Sequence, residues 1–142
     1  MADNKALTRR FYEEAVNQGK LEVIDELVAP DFVDHEDFPG LTPDRDGVKQ
    51  FFAMFKSAFP DGRFEVEDLI EEGDRMVVRA TIRGTHKGEF VGIPPTGKQI
   101  TVTSIDILRI RDGQATEHWG VTDMAAMLTQ LGVMPEPAAA QA

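Results

Sequence analysis

The apolar residues change their spacing once along the chain, and that switch limits the fold more than any other feature. Up to about residue 60 they recur at helical intervals; from Arg63 onward they alternate with a period of two. Leu7, Phe11 and Ala15 fall at i, i+4 and i+8, with Gly19 as a C-terminal stop. Leu21, Ile24, Leu27 and Val28 mark a short second helix ended by Pro30. Val48, Phe51, Phe52, Phe55 and Phe59 make the clearest helix, with an aromatic stripe that requires a covering layer. Between the second and third helices, residues 32–40 read as an irregular polar piece.

The second half reads as a strand meander. Phe64, Val66, Asp68 and Ile70 share one face of the first strand, and Met76, Val78, Ala80 and Ile82 share one face of the next, with His86 at the same parity. Strands over about 98–111 and 114–122 are joined at Asp112-Gly113, a strong hairpin signal. Met124, Met127, Leu128 and Leu131 close the chain with a helix stopped by Gly132, and Asp123 is its expected N-cap. Helices followed by antiparallel strands define an α+β fold. Long strands broken by Gly and Pro should curl around the helices into a cone-shaped barrel with an internal pocket.

Composition narrows the function classes. The chain has 142 residues, no cysteine and a net charge of −10. One domain over residues 1–133 with a flexible tail at 134–142 accounts for the length. Without cysteine there is no disulfide, thiolate nucleophile or thiolate metal site. The negative charge opposes nucleic acid and anionic membranes. No apolar stretch has the length of a signal peptide core or a spanning helix, so a cytoplasmic protein is expected. No HExxH, P-loop, GxGxxG or nucleophile elbow is present, and neither a metal nor another cofactor is expected.

The chemistry is sought on the strand over 98–111. Asp106 lies there between two isoleucines, where an acid needs a partner. A two-residue turn at Asp112-Gly113 sets Asp106 against Trp119. A three-residue turn sets it against His118, with Ile105 opposite Trp119, Ile107 opposite Glu117 and Thr103 opposite Val121. The second register is preferred because it separates a polar inner row from an apolar outer row. His118 then pairs with Asp106 as the base or acid of a proton-transfer site. Ser104, Gly120 and Thr122 share that inner face, and His35 and His86 are expected to converge on it to bind substrate. The outer residues Ile105, Ile107, Trp119 and Val121 call for a homodimer.

Several runs then resemble one family. Phe32-Val-Asp-His, Ala58-Phe-Pro-Asp61, Glu72-Gly-Asp74, Gly84-Thr-His-Lys-Gly88, Gly92-Ile-Pro-Pro-Thr-Gly97, Glu117-His-Trp119 and Gln130-Leu-Gly132 are similar to the SnoaL-like polyketide cyclases over about residues 5–133. The resemblance implies the cone fold shared with ketosteroid isomerase, a dimer, and acid–base chemistry without a cofactor. In that family the acid/base carboxylate stands two residues after the histidine of the Glu-His pair, where this chain has Gly120. The place of Asp106 is a histidine there. Two readings follow: a cyclase, isomerase or lyase acting on an apolar carbonyl compound, or a binding protein of the same fold for an apolar ligand. For the enzyme, His118→Ala and Asp106→Asn should each abolish turnover with little change in melting temperature.

Overall fold

A computed structural model describes residues 3–36 and 38–135. Helix α1 (Asn4–Arg10) is capped by the Asp3 carboxylate, which accepts the Ala6 N–H, and runs on into a π-helical stretch, Phe11–Asn17. Helix α2 (Glu22–Leu27), α3 (Arg45–Ala58) and α4 (Met124–Gln130) complete the helical part. Strands β1 (Val28–Asp34), β2 (Arg63–Glu72), β3 (Arg75–Thr85), β4 (Gln99–Arg111) and β5 (Gln114–Thr122) form one sheet in the order β1-β5-β4-β3-β2. All neighbours run antiparallel except β1, which lies parallel to β5. The α+β class stands, and the sheet remains open at β1 and β2.

Val28 was expected to end the second helix and residues 32–34 to be irregular, but Val28–Asp34 forms an edge strand instead. Proline lacks the N–H of a strand ladder, so Pro30 hides the strand from any reading of alternation. It is tolerated because β1 has only β5 as a neighbour. Its register with β5 slips between Val28 and Val33, then sets Asp34 beside His118.

One core joins the two halves of the chain. Tyr12, Ala15, Val16 and Ile24 from the first helices meet Phe52, Phe55 and Phe59 of the aromatic stripe over Val78, Ala80, Ile82 and Val102 of the sheet. Full burial of each large side chain contributes about 1.5–3 kcal/mol. Those rings therefore fix α3 across the sheet. On β2 the expected alternation fails past Val66, because Glu67 is the extra residue of a bulge. Leu69 then turns toward Val78, while Ile70 is 58% exposed instead of sharing the face of Phe64.

The β4–β5 hairpin departs from both sequence registers. Arg111 pairs with Gln114 across a two-residue turn in which Asp112 and Gly113 have φ of 52° and 76°, as a type I′ turn requires. That turn alone would put Asp106 and His118 on opposite faces. A bulge follows: Ile110 pairs with Ala115 and Arg109 with Glu117, leaving Thr116 as the extra residue. Parity is restored, and Asp106 stands opposite Gly120 while His118 stands opposite Leu108. Ile105 consequently faces Val121 and Ile107 faces Trp119. Turn and bulge together reproduce the expected face without the expected pairs.

Two terminal expectations meet different ends. Asp123 caps α4 by accepting the Ala126 N–H at 3.0 Å. Most of the tail expected at 134–142 lies outside the described residues. Among those described, no helix is long and apolar enough to cross a membrane.

Candidate active site

A cavity of about 230 Å³ lies between the helices and the inner face of the sheet. Phe11, Phe32, Phe38, Phe51, Phe52 and Phe64 supply much of its wall. Its polar end gathers side chains from four segments: Tyr12 from the π-helical stretch, Asp34 and Glu36 from the end of β1 and the turn after it, Ser104 and Asp106 from β4, and His118 from β5.

His118 is the centre of that group. Its Nε2 lies 2.8 Å from Asp106 Oδ1, and its Nδ1 lies 2.8 Å from Asp34 Oδ1. A carboxylate accepts, so both ring nitrogens donate and the ring is an imidazolium. Burial alone would push the imidazole down; the hydrogen bonds and charges of Asp106 and Asp34 outweigh it and hold the group up at about 10. At neutral pH His118 carries its proton. Of the two roles, base or acid, the geometry leaves no lone pair for the first.

Asp106 is equally occupied. Oδ1 accepts from His118 Nε2, and Oδ2 accepts from Tyr12 Oη at 3.2 Å and from Ser104 Oγ at 3.3 Å. Burial, then the neighbouring Asp106 charge, pushes the Tyr12 phenol well above its usual range, so it remains a donor. Thr122 lies across from Ser104 and lines the same cavity.

Gly120 makes the pair possible. It stands directly opposite Asp106, so the His118 contact is diagonal and must cross the space above Gly120. A Cβ built there would come 2.6 Å from Asp106 Oδ1 and 2.7 Å from His118 Nε2. The missing side chain is the room the hydrogen bond uses.

The other two histidines do not converge. His86 is fully buried away from the cavity lining, with its ring 5.3 Å from that of Phe59. Its Nδ1 accepts the Thr96 N–H at 3.2 Å and pins the Gly/Pro-rich connection to the end of β3. It stands just past the end of β3, buried in the core and outside the pocket lining. His35 reaches the cavity rim, but its ring stacks 4.9 Å from Trp119 and its Nε2 lies 3.1 Å from Glu117 Oε2. Trp119 and Glu117 alternate with His118 along β5, so that ring sits on the other face of the sheet.

Sequence reading missed Tyr12, Asp34 and Glu36. Tyr12 is the sole tyrosine, placed beside Phe11 in an apolar stripe. Asp34 and Glu36 were hidden in a segment read as irregular, and only the parallel pairing of β1 brings Asp34 to His118. Glu36 is drawn upward from the usual carboxylate range chiefly by loss of solvent; His118 opposes that, and Asp106 and Asp34 add to it. Ligand atoms of Glu36, Asp106 and His118 lie within 4.8 Å of one another, close enough to surround a cation. A cation there would have to displace the His118 Nε2 proton and break the His118–Asp106 contact.

A family model described as SnoaL-like polyketide cyclase matches residues 6–131. The nogalonic acid methyl ester cyclase of Streptomyces nogalater is 27% identical over 83% of this chain and 90% of its own length. The aklanonic acid methyl ester cyclase AcmA of Streptomyces galilaeus is 29% identical over 93% of this chain and 92% of its own. Among solved structures, wild-type IdmH of Streptomyces antibioticus superposes with a TM-score of 0.78 at 40% identity, covering 90% of this chain and 97% of that one. TsrD of Streptomyces laurentii gives 0.84 at 29% identity, covering 92% and 96%.

Proposed function

The chain belongs to the SnoaL-like polyketide cyclase family, and from that premise and the site's geometry we propose that it is an acid–base cyclase acting on an apolar, carbonyl-bearing polyketide-like molecule. In such a reaction a base takes a proton from the carbon beside a carbonyl. The resulting enolate carbon attacks a second carbonyl carbon of the same molecule, and the alkoxide formed is protonated. Atoms and charge balance without an outside reagent.

The observation that carries this reading is the His118–Asp106 contact at the polar end of an apolar cavity. The aromatic walls suit a fused-ring or extended unsaturated substrate and exclude water. An imidazolium in that setting favours negative charge developing on a substrate oxygen, because its field is weakly screened there. Ser104 and Thr122 offer hydroxyl groups along the same wall. Gly120 leaves the room that the His118–Asp106 contact occupies. His86 and His35 act instead on the connection after β3 and on the sheet's other face.

Aklanonic acid methyl ester and nogalonic acid methyl ester are the probes of choice, since relatives are named for them. Incubation with the purified protein should convert one of them to a product of equal mass and different retention and absorbance. Recovery of both esters unchanged, with either one bound, would favour a binding protein.

The outer face supports a homodimer as a further part of this reading. Ile105 is 42% exposed and Val121 73%, and they pair directly across β4 and β5. Arg75 and Arg109 already cover part of Trp119, with guanidinium carbons 5.0 and 5.7 Å from its ring. A second copy would bury the remaining apolar row. Sedimentation should give a dimer that Val121→Asp converts to monomer; a monomeric parent chain would end the dimer reading.

A further inference from the structure

Resting on the cyclase reading, we propose that Glu36 is the base that takes the carbon-bound proton from the substrate. The acid–base groups at the polar end of the cavity differ in what is left free. Both nitrogens of His118 donate to carboxylates. Both oxygens of Asp106 accept, from His118 on one side and from Tyr12 and Ser104 on the other. The Nδ1 side of His118 is closed by Asp34, which also accepts the Glu36 N–H at 2.9 Å. Among the described residues the Glu36 carboxylate alone in this group receives no hydrogen bond, and it lines the cavity.

Its place over the sheet is equally specific. A Cβ on Gly120 would approach Glu36 Oε1 to 2.8 Å, so the carboxylate overhangs the same gap that the His118–Asp106 contact crosses. The Asp34 contact to the Glu36 backbone fixes the turn that carries it there. A carboxylate with little solvent and no donor is a stronger base than one held by three donors, and its upward drift brings it nearer neutral pH. The step balances on one residue: a Glu36 oxygen takes the carbon proton and the substrate becomes an enolate. The enolate forms the carbon–carbon bond, and Glu36 returns the proton to the new alkoxide. His118 stays protonated throughout and supplies positive charge.

The test separates proton removal from ring closure. Exchange of the α-hydrogens of 2-tetralone, a small apolar ketone, is followed by proton NMR in D₂O, with cyclisation of aklanonic acid methyl ester assayed alongside. The parent protein should accelerate exchange over buffer. Glu36→Gln should lose about 10²–10⁴-fold of that rate, as removal of a general base does. Glu36→Asp should recover part of it, and an unchanged melting temperature should show both variants folded. Exchange that survives Glu36→Gln within about threefold, or no acceleration by the parent, overturns the role of Glu36. The ester assay reports on the cyclase reading independently, because ring closure without Glu36 dependence would leave that reading standing.

Discussion

His118→Ala is expected to destabilise the fold by about 3–5 kcal/mol, the range for removing one partner of a buried charge pair. The ring stands between Asp34 and Asp106, both mostly buried, and its loss leaves two carboxylates facing each other across a cavity. Sequence reasoning expected a nearly unchanged melting temperature because it saw one acid at this histidine and not two. Urea denaturation of the parent and of His118→Ala measures the cost. Adding Asp34→Asn to His118→Ala should recover part of the loss, since one of the two stranded charges is then gone.

The same group gives a pH signature with a definite sign. His118 is raised from 6.5 to about 10 in the folded protein. A raised folded-state value means stabilisation that is fully present below about pH 6.5 and drains as pH rises through about 10. The parent should therefore lose several kcal/mol of stability across that window. His118→Asn should start lower and lose less over the same pH range, so the difference between the two profiles isolates the histidine. Parallel profiles would contradict the assignment.

Asp106→Asn is expected to lower kcat by about 10²–10³-fold with a smaller effect on KM, the range for losing a preorganised electrostatic partner. The amide can still accept from Tyr12 and Ser104, but it no longer holds the imidazolium by charge. The polar end of the cavity then loses one negative charge, and Asp34 is left as the one carboxylate bonded to His118. Steady-state kinetics with whichever methyl ester the parent cyclises would show it. An unchanged kcat would move the reacting end of the substrate away from β4.

The fold was legible wherever one face of an element is buried against one neighbour. The Phe stripe of α3, the inner rows of β3 and β4 and the Asp123 cap follow from local pattern alone. What escaped the sequence depends on pairing between distant segments. β1 reads as the end of a helix followed by an irregular piece because Pro30 breaks its alternation, yet its parallel contact with β5 is what delivers Asp34. The bulges at Glu67 and Thr116 are single-residue insertions that no periodicity announces, and each flips the faces beyond it. At Thr116 two departures from the expected register cancel, so Asp106 and His118 still share a face. The grouping of three histidines failed for a related reason: parity places a side chain on a face but not at a depth. His86 lies in the core at the strand's end, and His35 turns over the sheet edge onto Trp119.

The most direct measurement is the protonation state of the His118 ring, read from long-range proton–nitrogen correlations of the nitrogen-15-labelled protein between pH 6 and 10. Both ring nitrogens should carry protons at least to pH 9, with shifts that move when Asp34 or Asp106 is replaced by asparagine. A ring that titrates near pH 6.5 as a free imidazole would mean that the two carboxylates do not grip it, and the acid–base centre described above would not exist.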